Sequence, residues 1–272
     1  MGLYDGKTGF AAVAPPCGRH PYIRKTKYAE KPQSKLRNRT EHWQRLRQKN
    51  MVFEFSTWNV RTLYKTGDLL SVISQIGKYK LPVVAVQETR RHGNGINDVK
   101  GHSVLYSGKK KGTHESGVAF IANQTFKNNI IDQAINDRIC TMQIRMKFYN
   151  ITMINIYAPT EDKKPNIKDE FYNKLETMLD DVPSNDVKIV LGDYNAQIGK
   201  EKEFRKIVRR NSLHDVSNDN GKRMIDFAES GNLIVSSTQF ARKDIHKQTW
   251  RSPDGKTTIQ IDHILIDKRR AS

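Results

Sequence analysis

One pattern constrains this chain above all others: a short β-branched run that halts on a polar side chain. Val52–Val60 carries Asn59 at its end, Leu81–Gln87 runs into Glu88, and Ile151–Tyr157 closes on Tyr157. Val187–Leu191 leads into Gly192-Asp193-Tyr194-Asn195, and Thr258–Ile266 holds Asp262 within it. Such runs are too short for long helices and too apolar for loops, so they predict buried strands. Between them the apolar period lengthens. Asp68–Lys80 sets Leu69, Val72, Ile73 and Ile76 on one helical face. Ile167–Val182 does the same with Phe171, Leu175, Met178 and Leu179, and Gly221–Ser230 with Met224, Phe227 and Ala228. Ser103–Ser107, Gly117–Asn123, Ile139–Phe148, Ile234–Ser236 and Gln248–Arg251 complete the predicted strands. Gly108–Gly112 reads as a turn carrying Lys109, Lys110 and Lys111, and Tyr149-Asn150 as a hairpin turn. Hairpins mixed with strand–helix–strand units predict an α/β fold of two packed sheets with helices outside.

Charge narrows the partners. The 272 residues hold 47 Lys+Arg against 29 Asp+Glu, a formal charge of +18. Residues 1–50 hold twelve basic and three acidic side chains, so +9 of that excess lies there. This segment is rich in Gly and Pro and lacks apolar periodicity, so it is expected to be a disordered basic arm, with a short helix over Glu41–Lys49. It either binds phosphates or is a solvated tail. Residues 51–272 form the predicted domain. An excess of cations suits an anionic partner, with nucleic acid first, although solubility alone also uses it. No apolar run approaches the roughly 18 residues of a membrane span, and no secretory leader is evident. The two cysteines, Cys17 and Cys140, argue against a disulfide framework and a four-ligand zinc site. A monomer inside the cell is the expectation.

The polar residues at the strand ends carry the chemistry. Taken singly, Glu88 or Asp193 reads as a helix cap, Asn59 or Asn195 as a turn residue, Tyr157 as core and Asp262 as an edge residue. Taken together they are a constellation at the ends of strands, where α/β sites are built. Oxygen ligands without a His/Cys cluster suit a hard cation, Mg²⁺ or Mn²⁺. Phosphodiester cleavage needs a neutralised phosphate, an activated water and a stabilised leaving oxygen. Glu88 is the candidate metal ligand and Asp193 the candidate proton acceptor. Asn59, Asn195 and Tyr157 are candidate phosphate contacts.

The ordered segments Trp58-Asn59-Val60-Arg61-Thr62-Leu63, Val86-Gln87-Glu88-Thr89, Tyr157-Ala158-Pro159, Gly192-Asp193-Tyr194-Asn195-Ala196 and Ile261-Asp262-His263-Ile264-Leu265 resemble the exonuclease–endonuclease–phosphatase superfamily with its DNase I-like fold. The resemblance spans about residues 52–270. Asn218-Asp219-Asn220-Gly221 and Thr249–Gly255 are similar to segments of the apurinic-type endonuclease domain of non-LTR retrotransposons and its craniofacial development protein 2-like relatives. The resemblance implies a four-layer α/β/β/α sandwich that nicks DNA in the nucleus with Mg²⁺ or Mn²⁺ and no organic cofactor. It implies Glu88 and Asn59 at the metal, and Tyr157, Asp193 and Asn195 at the phosphate and water. Asp262 matches an aspartate that orients a later histidine.

That histidine belongs to a closing Ser-Asp-His motif which these residues do not contain. The resemblance therefore implies a fold without its last strand, with ladder edges left open and activity reduced or lost. His263 is a rival catalytic histidine, disfavoured by its place in an apolar strand. Arg90, Arg91, Lys109, Lys110 and Lys111 are candidate contacts to the DNA backbone, or solvated loop charge; Arg61 is given no role. Two alternatives stay open: a phosphatase or phosphodiesterase acting on phosphoinositide or sphingolipid substrates, and a remnant that binds nucleic acid without cutting it.

Overall fold

The computed structural model describes residues 11–13, 22–27, 52–112, 114–132, 136–146 and 148–270. In chain order the strands and helices are β1 (Ala11–Val13), β2 (Tyr22–Lys27), β3 (Val52–Asn59), α1 (Thr66–Tyr79), β4 (Val83–Gln87), β5 (Asn94–Val99), β6 (His102–Ser107), β7 (Val118–Asn123), β8 (Ile130–Asp132), β9 (Ile139–Arg145), β10 (Asn150–Tyr157), α2 (Pro165–Asp180), β11 (Val187–Asp193), α3 (Asp219–Ser230), β12 (Leu233–Val235), β13 (Trp250–Arg251), β14 (Thr258–Ile259) and β15 (Asp262–Asp267).

Two mixed sheets result, ordered β1-β2-β3-β4-β7-β6-β5 and β12-β15-β11-β10-β9-β8, with β13 and β14 as a separate hairpin. The sheets meet face to face. Phe55, Val83, Ala85, Leu105 and Phe120 of the first interdigitate with Met142, Met153, Ile189, Leu191, Ile264 and Ile266 of the second. Strand alternation turns the other side chains outward, and the helices cover them. Ile73 and Ile76 of α1 lie on Val84, Val86 and Ile121. Phe171, Leu175 and Leu179 of α2, with Met224 and Phe227 of α3, lie on Ile154, Val190 and Leu265. The layers are α/β/β/α, as expected. Each aliphatic side chain so buried contributes about 1.5–3 kcal/mol, and most of these come from the β-branched runs.

Three elements differ from the pattern read in the sequence. The run Thr258–Ile266 is not one strand. It breaks at Gln260-Ile261, where the Ile261 and Asp262 amides donate to Thr249 Oγ1 at 3.0 and 3.2 Å instead of to a neighbouring strand. β14 pairs with β13, while β15 enters the second sheet. The polar stretch Asn94–Val99 forms an edge strand because pairing with β6 needs only its backbone. Within the segment expected to be a basic arm, Ala11–Val13 and Tyr22–Lys27 form strands. β2 pairs antiparallel along β3, from Tyr22 opposite Thr57 to Lys27 opposite Val52. It occupies an edge of β3 whose N–H and C=O groups would otherwise lack ladder partners. The helix foreseen over Glu41–Lys49 lies outside the described residues.

Candidate active site

Parallel strands bring the polar ends together. β3 and β4 run parallel, with Asn59 opposite Gln87, so Glu88 emerges beside Asn59. In the other sheet β10 and β11 run parallel with Tyr157 opposite Asp193, and antiparallel β15 sets Asp262 opposite Asp193. Both sets open at one end of the sandwich, the position at which α/β folds bind ligands. Asn59, Glu88, Tyr157, Asp193, Asn195 and Asp262 all line one cleft of about 910 Å³.

One amide joins the two halves. Asn59 Nδ2 donates to Glu88 Oε1 and to Asp193 Oδ2, both at 2.8 Å, while its Oδ1 accepts from the Arg61 amide at 3.0 Å. Behind it, a buried polar chain crosses between the sheets. Thr57 Oγ1 donates to Gln87 Oε1 at 3.1 Å, and Gln87 Nε2 donates to Asn155 Oδ1 at 2.6 Å. Asn155 Nδ2 then donates to the carbonyls of Val86 at 3.1 Å and Ala119 at 2.8 Å.

The loops that carry these groups are strained, and the strain is held. Glu88, Arg90 and Asn195 have φ of 55°, 54° and 49°, in the left-handed region that costs a side-chain-bearing residue about 1–3 kcal/mol. Backbone bonds from Thr89 to Gly117 (3.0 Å) and from Arg90 to Ser116 (2.9 Å) fix the first turn. Asp193 Oδ1 accepts from the Asn195 amide at 2.9 Å and fixes the second. Asn195 Nδ2 donates to Ala158 O at 2.9 Å. Gly192 is required between them: its φ is 147°, and a Cβ there would stand 2.1 Å from Ile156 O.

Charge is crowded in the cleft. Burial raises the Asp193 carboxyl to about 6, and the Glu88 charge adds to this; hydrogen bonds from the Asn195 amide and Asn59 oppose it. Asp262 lies well above the usual carboxylate range, through burial first and the Asp193 charge second. Its Oδ1 is buried without a hydrogen-bond partner. Burial, then the charges of Glu88 and Asp193, likewise holds the Tyr157 hydroxyl protonated. Repelled carboxylates and an orphaned oxygen fit a cation. Among the described residues no three His, Cys, Asp or Glu side chains converge as a closed cage. Mg²⁺ does not need one, because it keeps several waters and takes one or two carboxylates plus substrate oxygens.

The five predicted cations do not line the cleft. Arg90 reaches Glu88 Oε2 at 3.4 Å from the side. The Arg91 guanidinium lies 4.5 Å over the Tyr106 ring, Lys109 pairs with Glu115 at 2.9 Å, and Lys110 and Lys111 are exposed on the β6–β7 loop. The lining instead takes Arg61 and Arg251, together with Thr249 and Trp250. Asn220 was also missed as a site residue. Its Nδ2 donates to Pro159 O and Asn195 O, both at 3.0 Å, tying the β10 and β11 loops to the start of α3. The sequence signal was there, since Asn218-Asp219-Asn220-Gly221 had already stood out as a motif. His263 faces away from the cleft. It is fully buried, its Nε2–H donates to Ala196 O at 2.9 Å, and its Nδ1 accepts from Ser237 Oγ at 3.0 Å. Burial lowers its pKa to about 4, so it stays neutral and plays no part in the cleft.

A double-sheet sandwich with carboxylates and amides gathered at its strand ends defines the hydrolases of the nuclease and phosphatase kind. The chain belongs to the Endonuclease/Exonuclease/phosphatase family, whose sequence profile matches residues 56–271. Craniofacial development protein 2 of Tragulus javanicus and of Bos taurus are each 32% identical over 214 residues, covering 78% of this chain but 37% and 36% of theirs. The chain thus spans about a third of the length of these curated relatives. Three solved structures share the fold. The endonuclease domain of TRAS1, a telomere-specific non-LTR retrotransposon, has a TM-score of 0.54 at 15% identity, covering 78% of this chain and 82% of that one. The AP endonuclease LMAP from Leishmania major has a TM-score of 0.59 at 15% identity, covering 80% and 79%. The Xenopus laevis APE2 catalytic domain has a TM-score of 0.58 at 18% identity, covering 79% and 82%. No helix among the described residues is long and apolar enough to cross a membrane.

Proposed function

We propose that this domain is a divalent-metal-dependent DNA endonuclease of retroelement type, acting as a monomer on nuclear DNA. The observation that carries the reading is the Asn59 amide, bound at 2.8 Å to Glu88 on one sheet and to Asp193 on the other. Asp193 and Asp262 face one another across a ladder and cannot both ionise cheaply. Burial and the Asp193 charge favour the protonated form of Asp262. Asp193, with a pKa of about 6, is ionised at neutral pH yet more basic than an ordinary carboxylate, which suits a general base for the attacking water. Tyr157, held protonated, and the second N–H of Asn195 donate to the phosphate oxygens. Glu88 would hold Mg²⁺ or Mn²⁺, and Asn59 would position Glu88, since the amide oxygen of Asn59 is already engaged by Arg61 N. When bound, the ion supplies charge neutralisation at the phosphate. Arg61 and Arg251 would neutralise flanking phosphates, which positions DNA without reading its sequence.

A second reading, DNA binding without cutting, rests on the cleft lining, which includes no histidine among the described residues. Plasmid nicking with Mg²⁺ and with EDTA separates the two. Metal-dependent nicking that falls at least about 100-fold in Glu88→Ala and in Asp193→Ala is the expected result. An undiminished rate in either variant refutes the site. Salt-sensitive DNA retention without nicking would favour the second reading.

A further inference from the structure

A cluster of rings at the rim of the cleft has no part in this hydrolysis. Tyr64, on the loop between β3 and α1, stands edge-on to His114, with ring centroids 4.5 Å apart. His114, on the β6–β7 loop, stacks on His92, on the loop after β4, at 3.8 Å and within 3° of parallel. All three rings are exposed, Tyr64 to 64%. The cluster is tied to the site by short links. His114 Nδ1 donates to Arg90 O at 3.1 Å, and the Arg90 guanidinium reaches Glu88 Oε2 at 3.4 Å. Tyr64 follows Arg61 and Thr62, both lining residues, by three and two positions.

Rings that serve packing are covered by neighbouring apolar side chains. These three gather from three separate loops and remain in water beside a cleft suited to a phosphate. A paired duplex offers such rings nothing, because its base faces are covered by its own stacking. An unpaired base offers a whole face, and base–aromatic stacking is the usual way in which proteins hold single strands. The cluster is also one-sided. All three rings come from loops of the first sheet, whereas Thr249, Trp250 and Arg251 approach the cleft beside β15 of the second.

We propose that Tyr64, His114 and His92 form a stacking platform for unpaired bases, so that the favoured substrate is DNA with a single-stranded segment on one side of the phosphate in the cleft. The proposal rests on the DNA reading above. His92 presents a ring at the open end of the stack, Tyr64 frames the other end, and Arg61 and Arg90 supply charge for the strand between platform and cleft.

The test uses the full chain in EDTA and three labelled probes of one sequence: a blunt duplex, and the same duplex with a single-stranded extension at the 5′ or at the 3′ end of the labelled strand. One polarity is expected to bind about tenfold tighter than the blunt duplex. The double variant Tyr64→Ala/His92→Ala should bring that ratio to about one, and Tyr64→Ala/His92→Phe, which restores a ring face, should recover part of it. A second readout needs no variant: 2-aminopurine at the first unpaired position should lose fluorescence on binding wild-type protein, as a stacked base does. Equal affinity for the three probes, an equal gain for both polarities, or binding without quenching overturns the platform while leaving the nuclease reading in place. Failure to bind any probe, together with failure to nick in Mg²⁺, overturns the nuclease reading and the platform with it.

Discussion

Replacing Asn59 by alanine removes a group that touches both halves of the cleft. Two hydrogen bonds of 2.8 Å to carboxylates are lost. A hydrogen bond to a charged group is worth about 1.5–3 kcal/mol, and one pKa unit corresponds to about 1.4 kcal/mol. The bond from Asn59 is among the interactions that hold the Asp193 carboxyl down, so its loss should raise that group by about one unit, from about 6 toward neutrality. The direction matters. A base with a raised pKa is protonated over a wider range, so the acid limb of the rate profile should move to higher pH. The plateau at high pH should also fall about 100-fold, because Glu88 and Asp193 lose their common anchor. The assay is nicking rate against pH at saturating Mg²⁺, for wild type and Asn59→Ala. An acid limb that stays in place while the plateau falls would show that Asp193 is not the base whose proton affinity Asn59 sets.

Two further expectations concern stability. Asp193 has its folded-state pKa raised from 3.8 to about 6, so the folded protein favours its protonated form, and the group costs stability as pH rises through that window. At pH 7 Asp193→Asn should gain on the order of 1–3 kcal/mol and flatten the loss between about pH 4 and 6; an unchanged slope in urea melts across that range would contradict the raised pKa. Gly192→Ala should cost more than about 3 kcal/mol, because a Cβ at 2.1 Å from Ile156 O must push β10 from β11; chemical denaturation reads this directly, and a cost below about 1 kcal/mol would mean that the two strands do not approach so closely.

Much of the layout was legible because hydrophobic period and strand position act locally. Val83–Gln87 and Val187–Asp193 are apolar runs buried on both faces, and they must be internal strands wherever the rest of the chain goes. The residues that stop those runs were legible as a constellation for the same reason. What escaped depended on partners distant in sequence. Asn94–Val99 is too polar to announce a strand and is one only because β6 lies alongside. The break in Thr258–Ile266 is set by one hydroxyl on Thr249. Arg91 and Lys109 were expected at the DNA backbone and Arg61 had no role, yet a ring and a carboxylate in the fold draw the first two aside while Arg61 lines the cleft. His263 and Asp262 are neighbours in the sequence, and alternation along one strand sends them to opposite faces.

The amide chain through Gln87 and Asn155 has a mechanical consequence. An interface made of isoleucine, valine and phenylalanine is adhesive but almost indifferent to small sliding, because dispersion has little directional preference. Half of the cleft rides on one sheet and half on the other, so any slip between them would misalign the polar groups of the cleft while sparing the stability of the core. A directional pin through the centre of that greasy contact removes the freedom to slip. On this view, the alignment of the cleft carboxylates rests on two side chains buried between the sheets.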